Sequence, residues 1–385
     1  GQSGFAHLFE HMMFQGSDHV SKGQHFTLIS ERGGTLNGTT SADRTNYFEV
    51  LPSSELALAL WLEADRMRSL AVTAANFENQ RAVVKEEYRM RIENAPYMTG
   101  LIKLGELVFA EYPPYTRPTI GSMEDLDAAQ LTWVKAFYDK HYAPANAVLT
   151  VAGDFSRDEA VRLAREYFGP IQKKSATRAA LPELPRQVNA KKAVVRDANA
   201  KTPGFYFGYL IPKTRTPEHY ALEVAVSLLA DGESSRLERL LIRDRAVAQR
   251  VSAWTRDYVG PDELGISVVL TEKADMAKVQ KLVADEVEKL SKKPASPAEL
   301  DKVRRRIRSS FVFGLQTNMS RAVKLGEYES YFGDARLLAR ELAHYQAVTA
   351  EEVQRAVQKY LGPERRQLVE VLPTEAEAAT SGGQP

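Results

Sequence analysis

Apolar residues recur with a helical period from Phe5 to Gln15 and stop at Gly16-Ser17, which predicts a first helix. A second helical stretch, Lys22 to Arg32, stops at Gly33-Gly34. LNGTTSADRTNYFEVLP then alternates as two strands with a short turn near Ser41-Ala42-Asp43. Helices are predicted over Glu55–Ser69, Thr73–Glu93, Leu126–His141 and Arg157–Phe168, with a buried strand over Ala147–Phe155. Beyond a Pro-containing stretch, the strands are Ala193–Arg196, Gly204–Ile211, Gln249–Trp254, Leu264–Leu270 and Gln367–Leu372. Between them lie helices at Tyr220–Leu229, Ser235–Asp244, Ala274–Ser291, Pro297–Leu315 and Thr349–Tyr360.

Residues 172–190 carry no apolar period and read as a linker. They separate an N-terminal domain, 1–171, from a C-terminal one, 191–372. The tail 373–385, rich in Ala, Glu, Ser and Gly, is expected to be disordered. The two halves rhyme. In each, a late helix closes on a tyrosine (Tyr142, Tyr360), a proline follows, and a strand begins; the charged helix Thr73–Glu93 has a counterpart in Pro297–Leu315. The expected fold is therefore α+β: two homologous domains from an internal duplication, each a largely antiparallel sheet with helices on one face.

The 385 residues suffice for two ordinary cores, and 51 basic against 50 acidic residues leave no field to attract nucleic acid or an anionic membrane. No apolar run approaches a membrane span. With no cysteine, disulfides, thiolate metal sites and a Cys nucleophile are excluded, so a metal must be held by His and carboxylate. The lack of Cys also fits a periplasmic or other extracytoplasmic bacterial protein. The chain opens with Gly1, not Met, in mid-motif, so N-terminal strands are expected to be missing and no targeting segment can be read.

The chemistry concentrates in His7-Leu8-Phe9-Glu10-His11. On a helix, positions four apart are separated by about 40°, so both imidazoles face one way and can grip one zinc ion. Glu10 sits at the edge of that face, within reach of a water to deprotonate. The neighbours Phe5, Leu8, Phe9, Met12, Met13 and Phe14 are apolar, and polar groups placed among them need a partner. A third ligand is required. VVKEEYR offers Glu86 and Glu87, which point about 100° apart, so only one can face the metal.

GFAHLFEHMMFQGS, NGTTSADRTNYFEV, NQRAVVKEEYRMRIENAPY and HYAPANAVLTVAGDF together resemble the pitrilysin and mitochondrial processing peptidase family, the inverzincins. The resemblance spans almost the whole chain. It implies a zinc endopeptidase with one Zn²⁺ per chain, His7 and His11 as ligands and Glu10 as catalytic base. In the family's third-ligand helix a Glu-Arg pair stands at a fixed interval before the ligand; here the pair is Gln80-Arg81 and the interval lands on Glu87. Gln80 departs from the family's Glu, and a neutral amide next to the ligand shell adds no negative charge. Asn37 begins a segment resembling Asn-Ala-x-Thr, where an edge strand takes up extended substrate.

Active members of the family also use an Arg and a Tyr, seven positions apart, to hold substrate and steady the oxyanion. Aligned on VAQRVSA, those positions are Ile242 and Gln249, neither of which can substitute well. The resemblance therefore implies the metal-bearing subunit of a heterodimer whose homologous partner supplies Arg and Tyr, with a homodimer or a self-sufficient enzyme as alternatives. A non-catalytic assembly or peptide-binding subunit, or a metal hydrolase of a non-peptide bond, are the other classes considered. Among remaining residues, His19 and His25 are expected at the surface, His141, His219 and His344 at helix ends, and the basic run Lys302 to Arg308 on a solvated helix face.

Overall fold

A computed structural model describes residues 2–172, 181–183 and 189–374. The helices, in chain order with the strands, are α1 Phe5–Met12, α2 Gln24–Ser30, β1 Thr35–Thr40, β2 Thr45–Val50, α3 Leu56–Ser69, α4 Ala74–Tyr88, α5 Met98–Val108, α6 Met123–Ala128, α7 Leu131–His141 and α8 Arg157–Phe168. They are followed by β3 Lys192–Asp197, β4 Gly204–Ile211, α9 Pro217–Ala230, β5 Ala248–Thr255, β6 Asp262–Leu270, α10 Met276–Lys292, α11 Pro297–Gly314, α12 Asn318–Phe332, α13 Leu338–Ala347, α14 Ala350–Tyr360 and β7 Gln367–Pro373. The fold is α+β. Most of the linker expected at 172–190, and the tail from 375 onward, lie outside the described residues. The chain packs as two compact units, each drawn from three segments: Gly1–Tyr88, Arg117–Glu183 and Arg304–Ala347 form the first, and Arg89–Thr116, Leu184–Val303 and Val348–Pro385 the second.

In the first unit, α1 packs against α4, α7 and the hairpin β1–β2. Its apolar side sets Phe9 against Phe137 of α7 and Tyr142 just beyond it, each with ring centroids 5.2 Å apart. Gly4, at φ 82°, starts the helix where a Cβ would lie 2.4 Å from the Ile120 carbonyl oxygen, so only glycine fits. The hairpin runs in register from Thr35 opposite Val50 to Thr40 opposite Thr45. Helix α12 packs on β2: Ser41 Oγ lies 3.2 Å from the Tyr331 hydroxyl, and Arg44 pairs with Glu327 at 3.7 Å. A small core of Val20, Ile29 and Leu62, with Leu36, Leu51 and Trp61 against it, fills the space between α2, the hairpin and α3.

Several expectations are revised in this unit. The helix expected over Leu126–His141 is two, broken where Ala129 turns to ψ 134° and gives its carbonyl to Arg81 at 3.2 Å. The stretch Ala147–Phe155 forms no strand; no described strand lies beside it, and Val148 and Leu149 are exposed. Helices α12 and α13 occupy a stretch for which the sequence pattern predicted no element. His25 is buried rather than superficial.

The second unit is built on a five-stranded sheet ordered β3-β7-β4-β6-β5, antiparallel except between β3 and β7. Helix α5, absent from the sequence prediction, packs on β3, β4 and β7. It brings Leu104 and Val108, followed by Phe109 and Tyr112, onto Tyr206, Leu210, Val369 and Val371. Helices α9 and α14 also pack on the sheet, and all eight residues of β4 are buried, so both faces of that strand are closed. The helix-end residue His219 is a core group. Its Nε2 lies 2.8 Å from Asp262 and its Nδ1 3.2 Å from Glu223, and neither His219 nor Asp262 is exposed. The Asp262 carboxylate also accepts the backbone N–H groups of Arg256, Asp257 and Glu263.

Burial opposes the charge on His219, but the two carboxylates outweigh it and raise its pKa from 6.5 to about 10. A folded pKa above the unfolded one stabilises fully below the unfolded value, and that stabilisation is lost as pH rises through the folded value. We therefore expect the thermal midpoint to fall between neutral pH and about pH 10, with a smaller fall in His219→Gln. Equal pH slopes in the two proteins would contradict this.

Candidate metal centre

Helix α1 presents His7 and His11 one turn apart, their ring centroids 5.0 Å from each other. Helix α4 brings Glu87 to them from 76 residues away: its Oε2 lies 3.1 Å from His11 Nε2 and 3.6 Å from His7 Nε2. The face of α4 that carries Glu87 also carries buried Val84 and Gln80, so apolar packing aims the carboxylate. Glu86 points outward and is exposed. One ligand atom from each of His7, His11 and Glu87 falls within 4.8 Å of the others.

These residues fit a zinc ion. Bonds of about 2.0–2.1 Å in tetrahedral array put neighbouring ligand atoms about 3.3 Å apart, and the two N···O separations straddle that value. Two imidazoles and a carboxylate are the donor set a borderline cation prefers, and Glu87 and His7 are largely shielded from water.

Glu10 is held apart from this trio. Its Oε2 accepts the Thr40 hydroxyl at 2.5 Å. A Cβ at Gly38 would lie 2.9 Å from Glu10 Cγ and 3.3 Å from Tyr47 Cδ1, so the bare glycine lets β1 close on α1. Thr40 and Gly38 were not singled out from the sequence; their place two residues apart on a strand, facing the motif helix, is the signal that was available. Asn37 alternates with them, so its side chain is on the opposite face of β1, exposed, with Oδ1 accepting the Gly38 N–H at 2.8 Å. Gln80 is buried and donates to Asn79 Oδ1 at 2.9 Å, an oxygen that also takes Lys22 Nζ at 2.9 Å. In the other unit, Ile242 lies in a wide helical turn, Glu238–Asp244, and Gln249 on β5 donates to Thr202 at 3.4 Å.

A second polar cluster lies behind the hairpin. His25 Nε2 is 2.5 Å from Glu49 Oε1, Arg66 grips Glu63 through two nitrogens, and the Arg66 guanidinium sits 4.6 Å over the Tyr47 ring. Burial, reinforced by Arg66, lowers the His25 pKa to about 4 and keeps the ring neutral. Burial raises the pKa of both Glu49 and Glu63, against the lowering effect of Arg66. Raised carboxyl pKa values, a neutral imidazole and one guanidinium together keep the buried charge of the cluster low.

A motif helix with two histidines and a glutamate, completed by a distant carboxylate in an α+β fold of two units, defines a metallopeptidase class. Two models of one family match the chain: insulinase, peptidase family M16, over residues 1–99, and the peptidase M16 inactive domain over 129–307. The chain belongs to the pitrilysin-like M16 peptidase family. It is 28% identical to the zinc protease PqqE of Helicobacter pylori over 332 residues, 85% of this chain and 74% of that protein. It is 23% identical to a probable mitochondrial-processing peptidase subunit beta of Arabidopsis thaliana, over 93% of this chain and 68% of that one. The crystal structure of a protease from Helicobacter pylori superposes with a TM-score of 0.91 at 25% identity, covering 97% of this chain and 89% of that one.

Arg66 is the one guanidinium in the cluster behind the hairpin and is 2% exposed. Arg66→Met should cost about 3–5 kcal/mol at mildly alkaline pH, because two buried carboxyls lose their counter-charge. Both carboxyls already have raised pKa values, so mild acid protonates them and the penalty should shrink. Denaturant midpoints of the chelator-treated chain at the two pH values check this; a pH-independent penalty would count against the charge account.

Proposed function

We propose that this chain is a zinc-dependent endopeptidase acting on peptides or unfolded segments. The observation that carries the reading is the convergence of His7, His11 and Glu87 beside a separately held Glu10. In this reading His7, His11 and Glu87 hold one Zn²⁺, which supplies Lewis-acid chemistry: it makes water nucleophilic near neutral pH and polarises a carbonyl. Glu10 takes a proton from the attacking water as the new C–O bond forms. It returns that proton to the amine as the C–N bond breaks. The hairpin carrying Asn37 has two strands among the described residues, so a free edge is open to an extended substrate. Gln80 supports the ligand helix through packing and through Asn79.

The homologous partner belongs to the same proposal. Ile242 and Gln249 offer no cation and no phenol, so a second, homologous chain supplies the Arg and Tyr. The halves 1–171 and 191–372 are taken as the homologous domains, and the compartment as extracytoplasmic. No helix among the described residues is long and apolar enough to cross a membrane. The match to the inactive-domain model covers 129–307, away from the motif, and so does not favour a non-catalytic reading.

Glu10→Gln should retain stoichiometric zinc and lose hydrolysis of a quenched peptide by a factor of about 100 or more, whereas Glu87→Gln should lose zinc as well. Zinc content by elemental analysis, with activity measured with and without a homologous partner, tests both. A Glu10→Gln protein as active as the parent would overturn the assignment.

A further inference from the structure

The hairpin carries a line of hydroxyls that ends on Glu10. Thr40 and Thr45 are paired across the two strands, and Gly38 is paired with Tyr47. With a period of two, Gly38, Thr40, Thr45 and Tyr47 share one face of the hairpin, the face turned to α1. Thr40 Oγ1 donates to Glu10 Oε2 at 2.5 Å and lies 3.3 Å from Thr45 Oγ1. Behind them, the Tyr142 hydroxyl lies 3.1 Å from that of Tyr47. The line that reaches the carboxylate is therefore Thr45, Thr40, Glu10, with the Tyr47–Tyr142 pair a separate link.

Direction follows from proton counting. Each hydroxyl has one proton to give. Thr40 donates to Glu10 Oε2, so its one proton is spent there and it can only accept from Thr45. Every link points at the carboxylate, and links aligned in this way polarise one another. Burial raises the pKa of Tyr142 to about 12 and lifts that of Tyr47 well above its ordinary value, so both phenols keep their protons. Tyr47 is in turn pinned under the Arg66 guanidinium. Glu10 Oε1 has no hydrogen-bond partner among the described residues.

We propose that Thr40 is a positioning residue for the reaction: its directed hydroxyl fixes Glu10 through Oε2 and leaves Oε1 as the oxygen that meets the attacking water. This rests on Glu10 being the general base. Thr45 acts one step further back, as the donor to the Thr40 oxygen, which leaves the Thr40 proton for Glu10.

Thr40→Val keeps the shape and removes the hydroxyl; Thr40→Ser keeps the hydroxyl. In the full chain with its partner, Thr40→Val should lower kcat about 10- to 100-fold, with KM and zinc content unchanged, and Thr40→Ser should restore most of the loss. Crystal structures of both variants give a readout independent of turnover. Glu10 should keep Oε2 on residue 40 in Thr40→Ser and leave that rotamer in Thr40→Val. Equal kcat in the two variants, or an unmoved Glu10 in both, overturns the inference. Glu10→Gln, run beside them, separates the failures: if it remains active the base assignment falls; if it is inactive while Thr40→Val matches the parent, only the positioning role falls.

Discussion

Three lone-pair-bearing atoms, from His7, His11 and Glu87, are aimed at one small volume, and that is the constraint to which the rest of the first unit conforms. Each is an acceptor unless protonated, and acceptors crowded within 4.8 Å repel unless something positive lies among them. Apolar packing supplies the force that holds them there. Phe5, Leu8, Phe9 and Met12 bury one side of α1, and Phe77 and Val84 bury one side of α4. The donors are thus placed by residues that do no chemistry, and a bound cation would turn their repulsion into stabilisation.

The same unit shows two ways of keeping buried polar groups satisfied. Around Glu10 the solution is a row of single-proton donors, all neutral, ending on one charge. Behind the hairpin it is a compact cluster in which His25 is neutral, burial raises the pKa of Glu49 and Glu63, and Arg66 lies beside them as counter-charge. Tyr47 lies on the same hairpin face as Thr40 and Thr45, with its ring under the guanidinium and its hydroxyl 3.1 Å from that of Tyr142. The hairpin's orientation therefore depends on packing and on polar contacts from both sides, which suits a strand pair that must hold a carboxylate in one rotamer.

How much of this the sequence could reveal depended on how local each feature is. His7, Glu10 and His11 are legible because a single helical turn fixes their geometry. Choosing Glu87 over Glu86 needed the family resemblance, since helical period says only that the two diverge. Most helices and strands followed from apolar period, and the hairpin from alternation around Ser41–Asp43. What escaped was long-range. Helices α12 and α13 have modest apolar faces and pack in the first unit although they come late in the chain. Ala147–Phe155 reads as a strand from its β-branched and apolar residues, but strand pairing is a property of a neighbour, and no described strand adjoins it. His25 is buried because Glu49 and Arg66 meet it, and neither is near it in sequence.

Gln80 takes a different meaning once charge is counted. The motif places two acidic residues, Glu87 and Glu10, beside the two imidazoles where a divalent cation would sit. A carboxylate at position 80, buried on the face of α4 that carries Glu87, would add a third acid near the motif. The amide found there instead passes its hydrogen bond to Asn79, whose oxygen also receives Lys22. The nearest cation in that line is thus bound to a neutral side chain at the surface rather than needed at the metal. The departure from the family pattern is consistent with a centre that closes its charge balance through Glu87 and Glu10 alone, leaving the electrostatics of the proposed base to the hydroxyl row.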